Sequence, residues 1–237
     1  VPDDRITTVA LLLEQAAARG QSTLAEHEAK QVLAAYSLPV TREILVTTRA
    51  EVAPAAGAIG YPVAVKASSP EIPHKSEQGL VRLGLADEAA ALQAFDAVAS
   101  ALAGRGGGVL VQEMITGRRE LAMGLVRDPD FGPCVMFGLG GIFTEILGDA
   151  VFRRAPLEQA DADDMMAEIR GREMLGAIRG LPAADRDALA GMLIALGQIG
   201  LDHEGVAEID LNPVILAGPR PVVADALIVL RPELPVL

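Results

Sequence analysis

Apolar positions recur along this chain with two periods, one near 3.6 residues and one of two, and the period switches from segment to segment. In the run STLAEHEAKQVLAAYSLPV, Thr23 and Glu26 have capping-box spacing, and Ala25, Ala29, Val32, Leu33 and Tyr36 share one helical face. A helix ending near Pro39 is expected. Residues 44–46 read as a strand, residues 51–59 as an Ala-rich stretch, and GYPVAVKAS as a strand through Val63, Val65 and Lys66 that runs into a polar turn. After VRLGL, Asp87 caps a helix carrying Leu92, Phe95, Val98 and Leu102 on one side, with Gly104 set to stop it and Gly106, Gly107 and Gly108 forming a loop.

From there the pattern becomes successive strands: VLVQEM, LAMGLV, CVMF and EIL, with turns at Thr116-Gly117 and at residues 127–131. They read as neighbours in an antiparallel sheet. A polar helical stretch over 161–179 precedes a helix whose stripe Leu189, Met192, Leu193, Leu196 and Ile199 belongs to a core. The end of the chain, VAEIDLNPVIL and VVADALIVL, reads as two buried strands joined by AGPRP. The whole predicts an α/β fold in two lobes with a cleft between them: an extension over 1–21, a first lobe over 22–108, and a second lobe over 109–237 built on an antiparallel sheet.

Composition narrows the possible partners. With 237 residues, 51% of them hydrophobic, no Trp, two Tyr and five Phe, the chain suits aliphatic helix-on-sheet packing rather than base stacking. Its net charge of −12 opposes a polyanionic backbone, so no nucleic acid partner is expected. The single cysteine, Cys134, cannot form an internal disulfide and reads as a small buried hydrophobe. No apolar run reaches the roughly 18 residues that span a bilayer, and the N-terminus lacks signal-peptide order, so no membrane partner and a cytoplasmic location are expected.

Four stretches carry candidate chemistry. The first, VKASSPEIPHKSEQGLV, gathers Lys66, His74, Lys75, Ser76 and Gly79 after a strand; compact positive charge with glycine-flanked amides suits a phosphate, and a solvated loop is the alternative. In the second, an apolar strand runs into Gln112 and Glu113, and Glu113 and Glu120 are placed to bracket one end of a cleft, although surface strands also end this way. The third, FGLGGIFTEILGD, is Gly-rich but matches neither the dinucleotide fingerprint nor the P-loop; it suits close backbone approach to a phosphate or a tight hairpin. The fourth sets Glu208, Asp210 and Asn212 on one face of a strand, with Asp225 on the next. Oxygen-bearing side chains on an apolar strand need a cation or donors, and this set suits Mg²⁺ with nucleotide phosphates.

Taken in order, HKSEQG, VLVQEM, GLGGIFTE and EIDLNP, with RRAPL and Arg179-Gly180 beyond, resemble the ATP-grasp portion of the ADP-forming acyl-CoA synthetases, relatives of succinyl-CoA synthetase β subunits, over about residues 26–230. The resemblance implies an ATP-grasp fold with ATP or ADP between the lobes. It also implies Lys66 on the phosphates with Ser76 and Gly79 in the phosphate loop, Gln112, Glu113 and Met114 as the hinge facing adenine, and Glu120 on the ribose. Asn212 and Asp225 match Mg²⁺ ligands, with Glu208 as a helper and Asp210 beside a phosphohistidine. His74 matches the histidine that relays a phosphoryl group, and neutral imidazole is nucleophilic at pH 7. The implied enzyme is an acid–thiol ligase completed by a CoA-binding subunit or domain. One departure stands out: Leu80 follows Gly79 where the family pairs two glycines, which implies an altered backbone approach. Two other readings stay open, a regulatory nucleotide-binding module without catalysis and a free-standing carboxylate–amine ligase.

Overall fold

Two antiparallel sheets organise the chain, whose computed structural model describes residues 4–72, 78–102, 105–141 and 148–232. Helices α1 (Asp4–Ala18) and α2 (Glu26–Ala35) lead into β1 (Glu43–Val46), α3 (Val52–Ile59), β2 (Val63–Ser68), β3 (Val81–Leu85), α4 (Glu88–Leu102) and β4 (Gly108–Glu113). Then follow β5 (Glu120–Asp128), β6 (Gly132–Leu139), β7 (Ala150–Arg154), α5 (Gln159–Glu168), α6 (Arg186–Asp202), β8 (Val206–Ala217), β9 (Arg220–Val223) and β10 (Leu227–Leu230).

The smaller sheet has the order β1-β4-β2-β3, and the larger runs β10-β8-β5-β6-β7 with β9 also on β8. Each has its own core. Val63, Val65, Val109 and Val111 pack with Val52, Ile59, Phe95 and Val98 of α3 and α4. Leu121, Met123, Leu125, Val135 and Phe137 pack with α5, with the predicted stripe of α6, and with α1 and α2 through Val9, Leu13, Val32 and Leu33. Helix α6 approaches its sheet so closely that a Cβ on Gly200 would sit 2.5 Å from Leu125 Cδ1 and 2.8 Å from Pro133 Cβ. Only glycine fits at that contact.

Several expectations hold locally and fail at the boundaries. Asp87 does cap α4, its Oδ1 accepting from the Ala90 N–H at 2.9 Å. Thr23 does not cap α2; its hydroxyl donates to the Pro70 carbonyl at 2.6 Å, and Glu28 reaches back to the Ala25 N–H at 3.0 Å. The lobe boundary at 108/109 is wrong for strand VLVQEM, because β4 pairs with β1 and β2 and completes the first sheet. Conversely, α1 and α2 belong to the larger core rather than to an extension and a first lobe. In the stretch 161–179 the α-helix ends at Glu168, where the Asp149 carboxylate takes the N–H groups of Arg170 (2.8 Å) and Gly171 (2.7 Å) and turns the chain, and only a short 3-10 helix over Arg172–Leu175 follows. VVADALIVL forms two strands rather than one, because β9 and β10 pair with different parts of β8 and leave Asp225 in the link. Cys134 is half-buried rather than buried, and burial pushes its thiol pKa up. Strand EIL and Gly104 lie outside the described residues. Among those described, no helix is long and apolar enough to cross a membrane.

The helices of the larger core meet at a polar knot. The Tyr36 hydroxyl donates to Asp202 Oδ2 at 2.8 Å and lies 2.9 Å from His203 Nε2, while Arg5 stacks over the Tyr36 ring at 5.0 Å. Burial lowers the His203 pKa, against a smaller opposing pull from Asp202. A histidine held below its unfolded value of 6.5 contributes stability that is complete above that pH and is lost as pH falls toward its native pKa. The thermal midpoint should therefore drop as pH is lowered below 6.5, and His203→Gln should flatten that drop; an identical pH profile in the variant would exclude His203 as the cause.

Candidate functional site

A cavity of about 320 Å³ opens where the smaller sheet faces β8. Strand alternation puts Val63, Val65 and Ala67 of β2 into the first core, so Ala64, Lys66 and Ser68 face the other way. Ala64, Lys66, Val81, Leu83 and Gln112 form one wall; Pro213, Ile215, Ala224 and Asp225 form the opposite one. The connection through Glu113, Met114 and Ile115 to Gly117 closes one end, with Glu120 beside it. Six of the predicted residues thus converge: Lys66, Gln112, Glu113, Met114, Glu120 and Asp225.

Their roles are not all open. The Glu113 carboxylate is held by Arg42, whose N–H and Nε lie 2.7 and 3.0 Å away, so its side chain is not offered to the cleft. Glu120 is exposed and lies against the start of the Gly-rich loop, where the Gly140 N–H donates to the Glu120 carbonyl at 2.8 Å. Gly141 has φ +64° and a Cβ there would come within 2.7 Å of Glu120 Oε2, so a side chain would displace that carboxylate. Gly79 adopts φ +67°, and the Arg82 guanidinium donates to its carbonyl at 2.6 Å. The Leu80 side chain is buried in the first core and its φ is not positive, so the departure from paired glycines introduces no backbone strain. His74 and Ser76 fall in 73–77, outside the described residues.

On β8, Ile209 and Leu211 point into the core while Glu208, Asp210 and Asn212 take the other face, as alternation predicts. The Ala224 N–H donates to the Pro213 carbonyl at 3.0 Å, which brings the Asp225 link beside Asn212-Pro213. Asp225 lines the cleft and Asn212 precedes Pro213 on its wall, its Oδ1 3.5 Å from the Gly141 N–H; two hard oxygen donors of this kind suit Mg²⁺, which takes one or two protein ligands and completes its shell with phosphates and water. Among the described residues no three Asp, Glu, His or Cys side chains form a metal cage. Glu208 stands four residues from Asn212, roughly 13 Å along a strand, too far for one ion to touch both.

Beneath Lys66 lies a charge cluster that sequence reasoning missed. Lys30 Nζ lies within 2.7–3.2 Å of Glu26 Oε1, Thr41 Oγ1, Glu43 Oε2, Gln112 Oε1 and the Ala224 carbonyl. Lys66 Nζ donates to the same Glu26 oxygen at 3.1 Å and to the same Ala224 carbonyl at 2.8 Å. Two carboxylates thus face two ammonium groups, with Glu26 and Lys30 each only 3% exposed. Burial pushes the Glu43 carboxyl pKa up while Lys30 pulls it down, and Glu43 Oε1 is buried with no hydrogen-bond partner among the described residues. One sequence signal pointed here: a Glu and a Lys four apart, with Lys30 between Ala29 and Val32 on the apolar side of α2, where charge is unusual.

The ATP-grasp domain family matches this chain over residues 15–230. The acetate–CoA ligase [ADP-forming] I subunit beta of Pyrococcus furiosus is 36% identical over 232 residues, covering 96% of this chain and 100% of that one. A solved structure of the Ca. Korarchaeum cryptofilum dinucleotide-forming acetyl-coenzyme A synthetase 1, with coenzyme A and Ca-AMPCP, superposes with a TM-score of 0.89 at 41% identity, covering 93% of this chain and 98% of that one. Another structure of that synthetase, with coenzyme A and Mg-AMPPCP and its phosphohistidine segment pointing towards the nucleotide binding site, superposes at 0.83 with 40% identity, covering 94% and 100%.

The cluster sets a stability expectation. Lys30→Met leaves two buried carboxylates against one ammonium group and should cost about 3–5 kcal/mol in urea unfolding. A loss below about 1 kcal/mol would mean that the cluster is solvated like a surface pair.

Proposed function

Because the chain belongs to the ATP-grasp family, among the β subunits of the ADP-forming acetate–CoA ligases, we propose that it is the nucleotide-binding and phosphoryl-relaying part of an ADP-forming acyl-CoA synthetase. The observation that carries this reading is the convergence of Lys66, Gln112, Met114, Glu120 and Asp225 on one cleft between two antiparallel sheets. Adenine lies against the Gln112 to Met114 hinge, Glu120 takes the ribose, and Lys66 with Ser76 and Gly79 takes the phosphates. Asn212 and Asp225 hold Mg²⁺, which when bound offsets phosphate charge. Glu208, farther along β8, stays outside that ligand set.

The relay begins at His74. A lone pair of the neutral imidazole forms an N–P bond to the γ-phosphorus as the bond to the β,γ-bridging oxygen breaks, and ADP leaves with that oxygen. Asp210, half-buried on the same face as Asn212, orients the imidazole and favours its protonated, electron-poor form after attack. The phosphoryl group then passes to a carboxylate in the partner CoA-binding subunit, and thiolysis of the acyl phosphate releases phosphate. The net reaction is ATP + carboxylate + CoA giving ADP + phosphate + acyl-CoA. Supporting the need for a partner, the Pyrococcus relative is a β subunit of nearly the same length. Nothing in the described cleft selects the acid, in keeping with an acyl site on that partner.

Calorimetry of the folded chain should show magnesium-dependent ADP binding. Asp225→Ala should weaken Mg-ADP by about tenfold or more, the worth of a charged ligand, and metal-free ADP much less. Equal losses in the two titrations would remove the metal from Asp225, and no magnesium-dependent binding by wild type would remove the function.

A further inference from the structure

The two buried lysines are not equivalent. Lys66 lines the cleft, whereas neither Lys30 nor Glu26 does. Yet both ammonium groups share two acceptors, Glu26 Oε1 and the Ala224 carbonyl. The Ala224 carbonyl immediately precedes Asp225, and its third donor is Gln112 Nε2 at 3.2 Å. Gln112 in turn presents its Oε1 to Lys30 at 3.1 Å, so Lys30 holds Ala224 both directly and by orienting the Gln112 amide.

Consider what a phosphate does on entering. It draws Lys66 toward the cleft, and Lys66 leaves behind a carboxylate that is only 3% exposed. A buried carboxylate stripped of its cation is costly, so Lys66 would stay unless another cation remained on Glu26. Lys30 is that cation: it already sits 2.8 Å from Glu26 Oε1 and is held from the far side by Glu43 at 2.7 Å and Thr41 at 2.8 Å. The same ammonium keeps the Ala224 carbonyl, and with it the backbone of Asp225, from losing its anchor when Lys66 departs.

We propose that Lys30 is a positioning residue for the nucleotide site, the resident counter-charge that lets Lys66 exchange Glu26 for a nucleotide phosphate while Asp225 stays in place. This rests on the nucleotide reading above. It goes beyond it by assigning Glu26 as the internal anion with which phosphate competes, and Lys30 as the group that makes the exchange possible.

Two double variants keep the buried charge balanced and differ only in which carboxylate remains. Lys30→Met with Glu43→Gln keeps Glu26 beside Lys66; Lys30→Met with Glu26→Gln keeps Glu43. In the first, Lys66 should stay on Glu26, and calorimetry in excess Mg²⁺ should show ADP binding weakened about tenfold or more, the worth of one charge-assisted contact. Adenosine, which has no phosphate, should bind both variants alike. In the second, ADP affinity should return to within about threefold of wild type, a difference smaller than one such contact. A purely structural role for Lys30 would weaken ADP equally in both, and that result overturns the proposal. Glu26→Gln alone keeps Lys30 and so avoids the folding risk; it should bind ADP at least as tightly as wild type, and weaker binding would also overturn it. Wild type that binds no ADP would instead strike the nucleotide reading itself.

Discussion

The Glu26–Lys30–Lys66–Glu43 cluster is the constraint around which the rest of the site is arranged. It draws on α2 from the larger core, on β1, β2 and β4 of the smaller sheet, and on the link between β9 and β10. Apolar packing cannot do this work, because each sheet already buries its own core and the cleft must stay open between them. Ion pairs and carbonyl contacts have direction as well as strength, so they fix which strand faces which. Buried ion pairs seldom add net stability over apolar packing of the same volume. What this cluster contributes is geometry: it sets Lys66 and Asp225 on facing walls of one cleft.

Other features follow from that arrangement. The break between β9 and β10 is where Ala224 meets its three donors, and the residue after it reaches the cleft. Alternation on β8 sends Asp210 and Asn212 to the same side, and the Ala224–Pro213 hydrogen bond keeps the two segments together. Arg42 withdraws the Glu113 carboxylate, which leaves the hinge to present main chain and the apolar Met114. A cleft with the Lys66 ammonium group at one place and the apolar Met114 at another results from these separate, local arrangements.

Much of this was legible along the chain. Strict alternation in AEIDLN put Asp210 and Asn212 on one face, because a period of two needs no knowledge of partners. The stripe on α6 was equally plain. What failed was pairing. VLVQEM lies between two glycine-marked turns, and nothing local says whether a strand pairs backward with β1 and β2 or forward with β5; the register is set by contacts across forty or more residues of chain. Glu26 was read as a capping residue because its spacing to Thr23 fits, whereas the structure gives the capping bond to Glu28 and sends Glu26 inward. Its pairing with distant Lys66, together with Lys30 one turn on, accounts for a carboxylate there. Asn212 on β8 and Asp225 in the link after β9, the pair proposed to hold Mg²⁺, can be named from the sequence but not brought together by it.

Incubation of the chain and its CoA-binding partner with γ-labelled ATP tests the central claim most directly, with the label followed through acid and base treatment and located by peptide mapping. A histidine relay predicts a label that is stable in base, lost in acid, and carried on the peptide containing His74, absent from His74→Ala although that variant still binds ADP. Full acyl-CoA synthesis by His74→Ala, or a label on any other residue, would contradict it.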